Sequence, residues 1–377
     1  MSEDPTPLVE RISRFVADPA AGSFDELAFA AFAFGYRRIA PYRRLCDERG
    51  ATPGTVGDPR RVPALPAAAF KTLEITTADD DDATALTFRS SGTTRGATEG
   101  STEGRAGTTT QTGDGDRAVH RHPFPDLYRA TLDAAFPAFC PLAAARPAIL
   151  ALVPTRQQSP DSSLAFMVDH LMARFGGEGS AYAFGPRGVD ARALRSWCGA
   201  RQRGGRPVLV LATSFALADA LDALDRFGLR FRLPSGSAAM DTGGYKGRRR
   251  ELARPELAAR LHDLVGVGPR RLFSEYGMTE LTSQLYTRNL VDDGAAGDLY
   301  AAPHWVRVQV LDAKTLDECA AGETGLVAVY DLANLGSAAH LLTEDLGRVE
   351  DGGLRLMGRA AGADLRGCSL VVEELGG

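Results

Sequence analysis

Short apolar runs alternate with helical segments between residues 148 and 276, and this alternation constrains the fold more than any other feature. The runs are rich in Val, Leu and Ile and are too short for helices, which is typical of strands buried on both faces of a sheet. The predicted strands are 148–153, 208–211, 229–233 and 271–273, and the predicted helices are 161–175, 214–227 and 255–265. Strands that alternate with helices predict an α/β fold with a largely parallel sheet.

The flanking segments have a different character. Residues 24–45 carry aromatic and apolar residues interleaved with arginines, which predicts a helical region packed on the main domain. Beyond residue 300 the sequence predicts strands at 306–311 and 326–330 and a hairpin over 347–357. The expected division is therefore a helical N-terminal region (1–85), an α/β core (86–300), a small β subdomain (301–357) and a tail (358–377).

Composition excludes several classes of protein. The 377-residue chain has a net charge of −5, which gives no electrostatic reason to expect nucleic-acid binding. It has no apolar run long enough to span a membrane, and its acidic N-terminus does not resemble a secretory signal, so we expect a cytoplasmic protein. The five cysteines are scattered without a C-x-x-C pair, which predicts reduced thiols. His120 and His122 have no further ligands nearby in sequence and are interpreted as hydrogen-bonded or solvated side chains.

Two short stretches carry the strongest chemical signal. The first, residues 89–96 (RSSGTTRG), follows a predicted strand at 86–88 and offers small side chains, hydroxyls and backbone N–H groups. Such a loop can surround a polyphosphate because no large side chain blocks the approach. The second, residues 276–280 (YGMTE), places an aromatic ring, a glycine and a carboxylate within five residues. Together they predict a site that binds and uses ATP with Mg²⁺.

Further residues complete this predicted site. The segment 242–244 (TGG) can pass close to a flat base, on which Tyr276 can stack. Thr279 and Glu280 can face phosphate and Mg²⁺. Asp345 can accept hydrogen bonds from both ribose hydroxyls, and Arg359, after Gly358, suits a ribose or phosphate contact. The stretch 95–117, rich in Gly and Thr, is interpreted either as a mobile lid or as a tolerated surface insertion.

These motifs, in this order, resemble those of the adenylate-forming enzymes, which include acyl-CoA ligases and nonribosomal adenylation domains. The resemblance covers roughly residues 60–377 and implies their large N-terminal-type domain of layered sheets and helices. In two respects the chain departs from that family: the phosphate loop lacks the usual Lys-Gly ending, and the C-terminal domain that brings a catalytic lysine is expected to be absent. The implied nucleotide-binding residues are Ser90, Ser91, Gly92, Thr93, Thr94, Gly243, Gly244, Glu275, Tyr276, Gly277, Met278, Thr279, Asp345 and Arg359, with Glu280 also binding the metal.

Within that superfamily, residues 243–247 (GGYKG), 274–280 (SEYGMTE) and 366–370 (RGCSL) resemble the LuxE-type acyl-protein synthetases. The resemblance implies that a carboxylic acid, and a fatty acid above all, is activated as acyl-AMP. It further implies that Cys368 holds the acyl group as a thioester and passes it to an acyl reductase or another acceptor protein. Arg366 could lower the pKa of the Cys368 thiol, although the residues alone favour a buried structural cysteine.

Three points stay open at this stage. The cation that stabilises the α-phosphate is Lys71, Lys246 or Arg359, and resemblance to the phenylacetate-CoA ligase branch favours Lys71. The acyl pocket is expected between 214–215, 235–236 and Met278. The alternative functions are an acyl-CoA or aryl-CoA ligase of the phenylacetate type and a non-catalytic nucleotide- or acyl-binding paralogue.

Overall fold

The order of helices and strands follows the alternation seen in the sequence. The structure is a computed structural model that describes residues 4–79, 82–90, 117–243, 252–292 and 297–360. The helices in these ranges are α1 (Thr6–Ala17), α2 (Phe24–Arg38), α3 (Ala40–Glu48), α4 (Pro125–Phe139), α5 (Ser163–Phe175), α6 (Ala191–Arg201), α7 (Ser214–Arg226) and α8 (Arg254–Val265). None of them combines the length and the apolar character that a bilayer span requires.

The strands in the same ranges are β1 (Leu65–Pro66), β2 (Leu86–Arg89), β3 (Val119–His122), β4 (Ala148–Leu152), β5 (Ala181–Tyr182), β6 (Phe184–Gly185), β7 (Gly188–Val189), β8 (Val208–Thr213), β9 (Ala238–Thr242), β10 (Leu272–Tyr276), β11 (Leu285–Thr287), β12 (Leu299–Ala301), β13 (Val306–Leu311), β14 (Gly325–Asp331), β15 (His340–Glu350) and β16 (Gly353–Arg359). A 3₁₀ helix spans Ala67–Lys71.

Twelve of the described strands form one mixed sheet in the order β13-β14-β15-β16-β12-β11-β10-β9-β8-β4-β5, with β1 paired to β15. The strands from β5 to β10 run parallel, and those from β10 to β13 run antiparallel. Strands β4, β9 and β10 are buried along their whole length, as expected where helices cover both faces of a parallel sheet. The predicted α/β class is confirmed.

One predicted strand is wrong. Residues 229–233 form no strand; instead the Phe231 and Leu233 amides donate to the Leu264 and Val265 carbonyls at the end of α8, at 2.8 and 2.9 Å. The next sheet strand is β9, whose sequence AAMDT combines small and polar residues. The apolar side chains of 229–233 are therefore used to pack a connection, and β9 lacks the bulky pattern that identifies a strand in sequence.

The antiparallel part of the sheet agrees with the predicted strands. The strand predicted at 306–311 is β13, 326–330 lies within β14, and the hairpin is β15 paired with β16. Tyr300 of β12 pairs with Leu354 of β16, so hydrogen bonding continues from the parallel strands into this region. The domain boundaries at residues 85, 300 and 357 stay predictions.

The helical stretch predicted within the N-terminal region is interrupted once. The predicted helical stretch 24–45 consists of α2 and α3, which meet at the extended residue Ile39. Pro41 lies in the first turn of α3, where a backbone N–H would have no acceptor within the helix, so its absence costs no hydrogen bond. The Tyr330 hydroxyl donates to the Ala28 carbonyl at 2.7 Å and so attaches α2 to β14.

A buried carboxylate at the end of β14 holds the segment that follows β10. Asp331 is fully buried and accepts from the amides of Thr282, Ser283 and Ala333 at 3.1, 2.7 and 3.0 Å and from the Ser283 hydroxyl at 2.7 Å. The Trp305 indole N–H donates to the same hydroxyl at 2.9 Å. Burial raises the pKa of Asp331 to about 6 in spite of these donors. The side chain thus fixes the backbone of residues 282–283 at an electrostatic cost.

We expect Asp331→Ala to lower the free energy of unfolding by about 3 kcal/mol, because it leaves several buried donors without an acceptor. Urea unfolding followed by tryptophan fluorescence measures the change. Asp317→Ala is the matched control, since Asp317 is exposed. A loss below about 1 kcal/mol in Asp331→Ala would show that water replaces the carboxylate.

Candidate functional site

The carboxyl ends of three parallel strands form the floor of the candidate site. Ser214 follows β8, Gly243 follows β9, and Tyr276 ends β10, so the three residues lie at one edge of the sheet. The Ser214 hydroxyl lies 2.7 Å from Asp241 Oδ2 and 2.9 Å from the Gly243 carbonyl oxygen. Ligand sites of open α/β sheets occur at this edge. The sequence thus folds Thr242 and Gly243 of one predicted segment, and the predicted segment 276–280, onto the same edge.

The predicted acyl pocket is wrong in one of its walls. Residues 235–236 precede β9 and lie at the amino edge of the sheet, the edge opposite to Ser214. Arg271, just before β10, donates to the Gly236 carbonyl, and a Cβ added to Gly236 would lie 3.2 Å from Pro207, just before β8. A strand of five residues separates the two edges by about 17 Å. A pocket cannot be bounded by both segments.

Tyr276 joins this edge to the β15–β16 hairpin. Its hydroxyl donates to Asp345 Oδ2 at 2.8 Å, and its ring is buried against Tyr300 with a centroid distance of 6.0 Å. Burial and the Asp345 carboxylate raise the pKa of Tyr276. The Thr343 hydroxyl accepts from the Asp345 amide at 3.1 Å and donates to the Val327 carbonyl at 2.9 Å. Asp345 therefore has a fixed backbone and a side chain that faces β10.

One cation, Arg359, contacts this carboxylate, and a second, Lys71, contacts the neighbouring Glu344. Arg359 Nε is 3.4 Å from Asp345 Oδ1, and Arg359 Nη2 is 3.3 Å from Glu344 Oε2. Lys71 Nζ, at the end of the 3₁₀ helix, is 3.8 Å from the other oxygen of Glu344. Gly358, just before Arg359, has φ +113°, a conformation that side chains rarely adopt. The structure thus brings together four predicted site residues, Tyr276, Asp345, Arg359 and Lys71, through Glu344.

The segment 277–280 turns sharply after β10. Gly277 leaves room for the Glu275 carboxylate, because a Cβ added there would collide with Glu275 Oε1. The Thr279 carbonyl accepts from His120 Nδ1 at 2.8 Å, and the Glu280 carbonyl accepts from the Asn334 amide at 3.0 Å. Glu280 is buried, while Met278 and Thr279 are half-buried. The backbone of the predicted metal and phosphate residues is therefore held from two sides.

Below this turn the two histidines act as structural hydrogen-bonding groups. His122 Nε2 lies 2.9 Å from the Thr282 hydroxyl, and burial lowers the pKa of His120 to about 4. The described residues contain no cluster of three or more His, Cys, Asp or Glu suited to a metal ion. The interpretation of His120 and His122 as hydrogen-bonded side chains is confirmed.

The predicted phosphate loop begins from an ordered hairpin. Strands β2 and β3 pair antiparallel, and the predicted strand at 86–88 is confirmed. Ser90 extends the pairing: its amide donates to the Ala118 carbonyl, and its hydroxyl accepts from the Ala118 amide, both at 2.9 Å. Predicted residues that lie outside the described part of the chain are Ser91, Gly92, Thr93, Thr94, Gly244, Lys246 and Cys368, with most of 95–117.

Sequence reasoning missed the residues that support the site. Glu344 stands next to Asp345, yet nothing in sequence indicates that it contacts both Lys71 and Arg359. Asp331 and Asn334 lie some 50 residues from the segment they hold. The available signal was indirect: polar residues within a nearly continuous apolar stretch at 325–342 predict a buried polar network.

Glu275 has an unusual protonation equilibrium. It is buried at the end of β10, where it accepts from the Thr242 hydroxyl. Burial raises its pKa to about 7, with a further contribution from Asp241. The native state therefore binds one more proton than the unfolded chain between about pH 4.5 and pH 7. The stabilisation that this proton gives is complete below that range and is lost as the pH rises through about 7.

We expect the stability difference between wild type and Glu275→Gln to depend on pH. On going from pH 5 to pH 8, wild type should lose on the order of 3 kcal/mol relative to the variant, because glutamine cannot ionise. Urea unfolding at the two pH values measures this difference. Glu318→Gln, at an exposed site, should show the same change in the free energy of unfolding as wild type. A pH-independent difference between wild type and Glu275→Gln would mean that Glu275 is ionised throughout.

Comparisons with known proteins add two findings. Residues 201–375 match the family model described as "Acyl-protein synthetase, LuxE". No curated protein matches the chain significantly.

Three similar solved structures illustrate the likeness. One is 2-hydroxyisobutyryl-CoA ligase in the postadenylation state with 2-HIB-AMP, with a TM-score of 0.60 and 13% identity over 89% of this chain and 67% of that chain. For its open conformation with 2-HIB-AMP and CoA, the TM-score is 0.58 and the identity is 12%, over 94% of this chain and 69% of that chain. For ATP-bound MatB from Rhodopseudomonas palustris, the TM-score is 0.48 and the identity is 15%. This chain covers only 47% of the length of that chain. The chain therefore has the fold of 2-hydroxyisobutyryl-CoA ligase, and its residues 201–375 are similar to the LuxE acyl-protein synthetase family model.

Proposed function

We propose that the protein is an ATP-dependent acyl-protein synthetase. It activates a carboxylic acid, preferably a fatty acid, as acyl-AMP, holds the acyl group on Cys368 and transfers it to a partner such as an acyl reductase. The observation that carries the proposal is the connected set Tyr276, Asp345, Arg359, Glu344 and Lys71 at the carboxyl edge of the sheet. It contains an acceptor for ribose hydroxyls and two cations for phosphate.

Asp345 has the capacity that a ribose contact needs. A carboxylate offers about four lone-pair sites, and Asp345 uses one for Tyr276 and one for Arg359. Two hydrogen bonds from a ribose can therefore be added without breaking the existing ones. In this proposal Tyr276 acts through its ring face and through its hydroxyl, which keeps the Asp345 carboxylate in place.

Glu280 is the residue proposed to hold Mg²⁺. Mg²⁺ is usually bound by one or two carboxylates together with substrate phosphates, so a single buried carboxylate is sufficient. The hydrogen bond from Asn334 to the Glu280 carbonyl fits this role because it fixes the backbone of that residue. Mg²⁺ supplies charge neutralisation of the triphosphate, while Lys71 and Arg359 lie on the Asp345 side.

In the first step the substrate carboxylate oxygen attacks the α-phosphorus of ATP. A new P–O bond forms, the bond to the β-phosphate oxygen breaks, and pyrophosphate leaves with its electron pair. Negative charge that develops on the α-phosphate oxygens is stabilised by preorganised cations. Here Lys71 or Arg359 supplies the positive charge. The product is a mixed anhydride whose carbonyl carbon accepts a nucleophile readily.

In the second step the Cys368 thiolate attacks that carbonyl carbon, and AMP leaves as the C–O bond breaks. The thiol proton goes to solvent, and a nucleophile on the partner later releases the thiolate. Ala360, whose amide donates to the Glu344 carbonyl at 2.9 Å, marks the end of the described chain near the site. Seven residues lie between Ala360 and Cys368, so the two residues can be at most about 29 Å apart.

The other cysteines are poorly suited to this step. Burial raises the pKa of Cys46, Cys140 and Cys198 to about 12, so almost no thiolate exists at neutral pH. Cys319 is half-buried, and burial with two nearby carboxylates also raises its pKa. Cys368 is the remaining candidate, and Arg366 lies two residues away in sequence.

Incubation with ATP, Mg²⁺ and a fatty acid should give pyrophosphate and a hydroxylamine-sensitive acyl adduct on the Cys368 peptide, seen by mass spectrometry. Cys368→Ser should keep carboxylate-dependent exchange of pyrophosphate into ATP and lose the thioester. Cys319→Ser, the matched control at the half-buried thiol, should keep both.

The same assay separates the alternatives. Activity that requires coenzyme A and is unchanged in Cys368→Ser would overturn the thioester and indicate a ligase of the phenylacetate type. Absence of pyrophosphate release with every fatty and aromatic acid, with and without coenzyme A, would indicate a non-catalytic nucleotide- or acyl-binding protein.

A further inference from the structure

One carboxylate in the candidate site is shared between two cations. Glu344 Oε1 lies 3.8 Å from Lys71 Nζ, and Glu344 Oε2 lies 3.3 Å from Arg359 Nη2. The Glu344 side chain is 19% exposed, against 29% for Lys71 and 55% for Arg359. The acid is thus the less exposed partner in both ion pairs.

The three residues come from separate parts of the chain. Lys71 ends the 3₁₀ helix Ala67–Lys71, which follows β1; β1 pairs in parallel with β15. Glu344 lies in the middle of β15, and Arg359 ends β16 directly opposite Asp345. A carboxylate on the central strand is therefore the group that can reach a cation on either side.

The charges of this group balance in the absence of nucleotide. Lys71 and Arg359 carry two positive charges, and Glu344 and Asp345 carry two negative ones. A triphosphate would compete with Glu344 for the two cations, because charge-assisted bonds from ammonium and guanidinium groups to phosphate are strong. Glu344 would therefore set the positions of the Lys71 and Arg359 side chains before the nucleotide binds.

We propose that Glu344 is a positioning residue that holds Lys71 and Arg359 until the nucleotide phosphates take them over. This rests on the proposed function of the same site. Glu344 touches no reacting atom; it acts through the two cations. Its removal leaves both cations less ordered and raises the positive charge of the site by one.

The proposal predicts that two kinetic constants fall, each for a different reason. In Glu344→Gln, the KM for ATP should fall about two- to fivefold, because the extra positive charge attracts the triphosphate. The kcat for pyrophosphate release should fall on the order of tenfold, because the cations are no longer preorganised. The fall in KM should shrink in 0.5 M salt, in which surface charges are screened.

Glu350→Gln is the matched control. Glu350 lies on the same strand, is 23% exposed and also contacts two arginines, Arg348 at 3.0 Å and Arg355. Its loss should cost similar stability and leave both kinetic constants as in wild type. Equal effects of the two substitutions, or a fall in kcat with KM unchanged, would indicate a purely structural role and overturn the proposal.

A second measurement does not depend on turnover. The chain has three lysines, Lys71, Lys246 and Lys314, so labelling with an amine reagent can be followed for each by mass spectrometry. In Glu344→Gln, Lys71 should label about two- to fivefold faster than in wild type. In wild type, ATP should slow the labelling of Lys71, while exposed Lys314 should be unaffected in both experiments.

The labelling separates this inference from the proposed function. If Lys71 responds to Glu344→Gln and to ATP but no acid releases pyrophosphate, the positioning role holds and the synthetase function fails. If labelling of Lys71 is indifferent to ATP, the transfer of Lys71 to phosphate is wrong even where activity is present. Should Glu344→Gln not fold, lack of ATP protection of Lys71 in wild type would still overturn the transfer of Lys71 to phosphate, which the proposal requires.

Discussion

The hydrogen bond from Tyr276 to Asp345 connects the two halves of the sheet at the candidate site. Tyr276 ends the last parallel strand, and Asp345 lies in the antiparallel hairpin β15–β16. The two strands are separated by β11, β12 and β16 in the sheet order, so no strand pairing brings these residues together. The contact instead depends on a buried tyrosine hydroxyl, which finds a partner when it is removed from water. Together with the pairing through β11, β12 and β16, this bond fixes Asp345 against the end of β10.

The segment after β10 depends on buried polar groups that cost stability on their own. Asp331 supplies four acceptor contacts to residues 282, 283 and 333, and Asn334 and His120 fix the carbonyls of Glu280 and Thr279. A buried carboxylate without a cation is unfavourable, as its raised pKa indicates. Its retention is understandable where a loop needs one backbone conformation, since a loop without regular pairing has no other source of rigidity. The polar network thus fixes the backbone conformation of this loop, as strand pairing fixes that of the hairpin.

Sequence predicted the framework well because hydrophobic periodicity reports burial directly. The strands at 148–153, 208–211 and 306–311 and the α7 and α8 helices were found on that signal. It failed at 229–233, where apolar residues pack a connection, and at β9, whose Ala238 and Ala239 are buried without being bulky. It also placed residues 235–236 beside Ser214, because sequence does not say at which end of a strand a loop lies. Hydrophobic periodicity could not predict the contact of Glu344 with Lys71, because the two residues are 273 positions apart and meet only through the pairing of β1 with β15.

The ability of Arg359 to contact both acids depends on a local irregularity of the hairpin. Successive residues of a regular strand point to opposite faces, so Glu344 and Asp345 would ordinarily not share a partner. The register of β15 and β16 shifts between Leu346 and Gly347, and Gly358 has a positive φ just before Arg359. Bulged strands turn side chains away from their usual direction. The guanidinium then contacts Asp345 through Nε and Glu344 through Nη2, a division that the single ammonium of lysine could not make. Arginine at this position is therefore required by geometry, and a lysine would have to release one of the two acids.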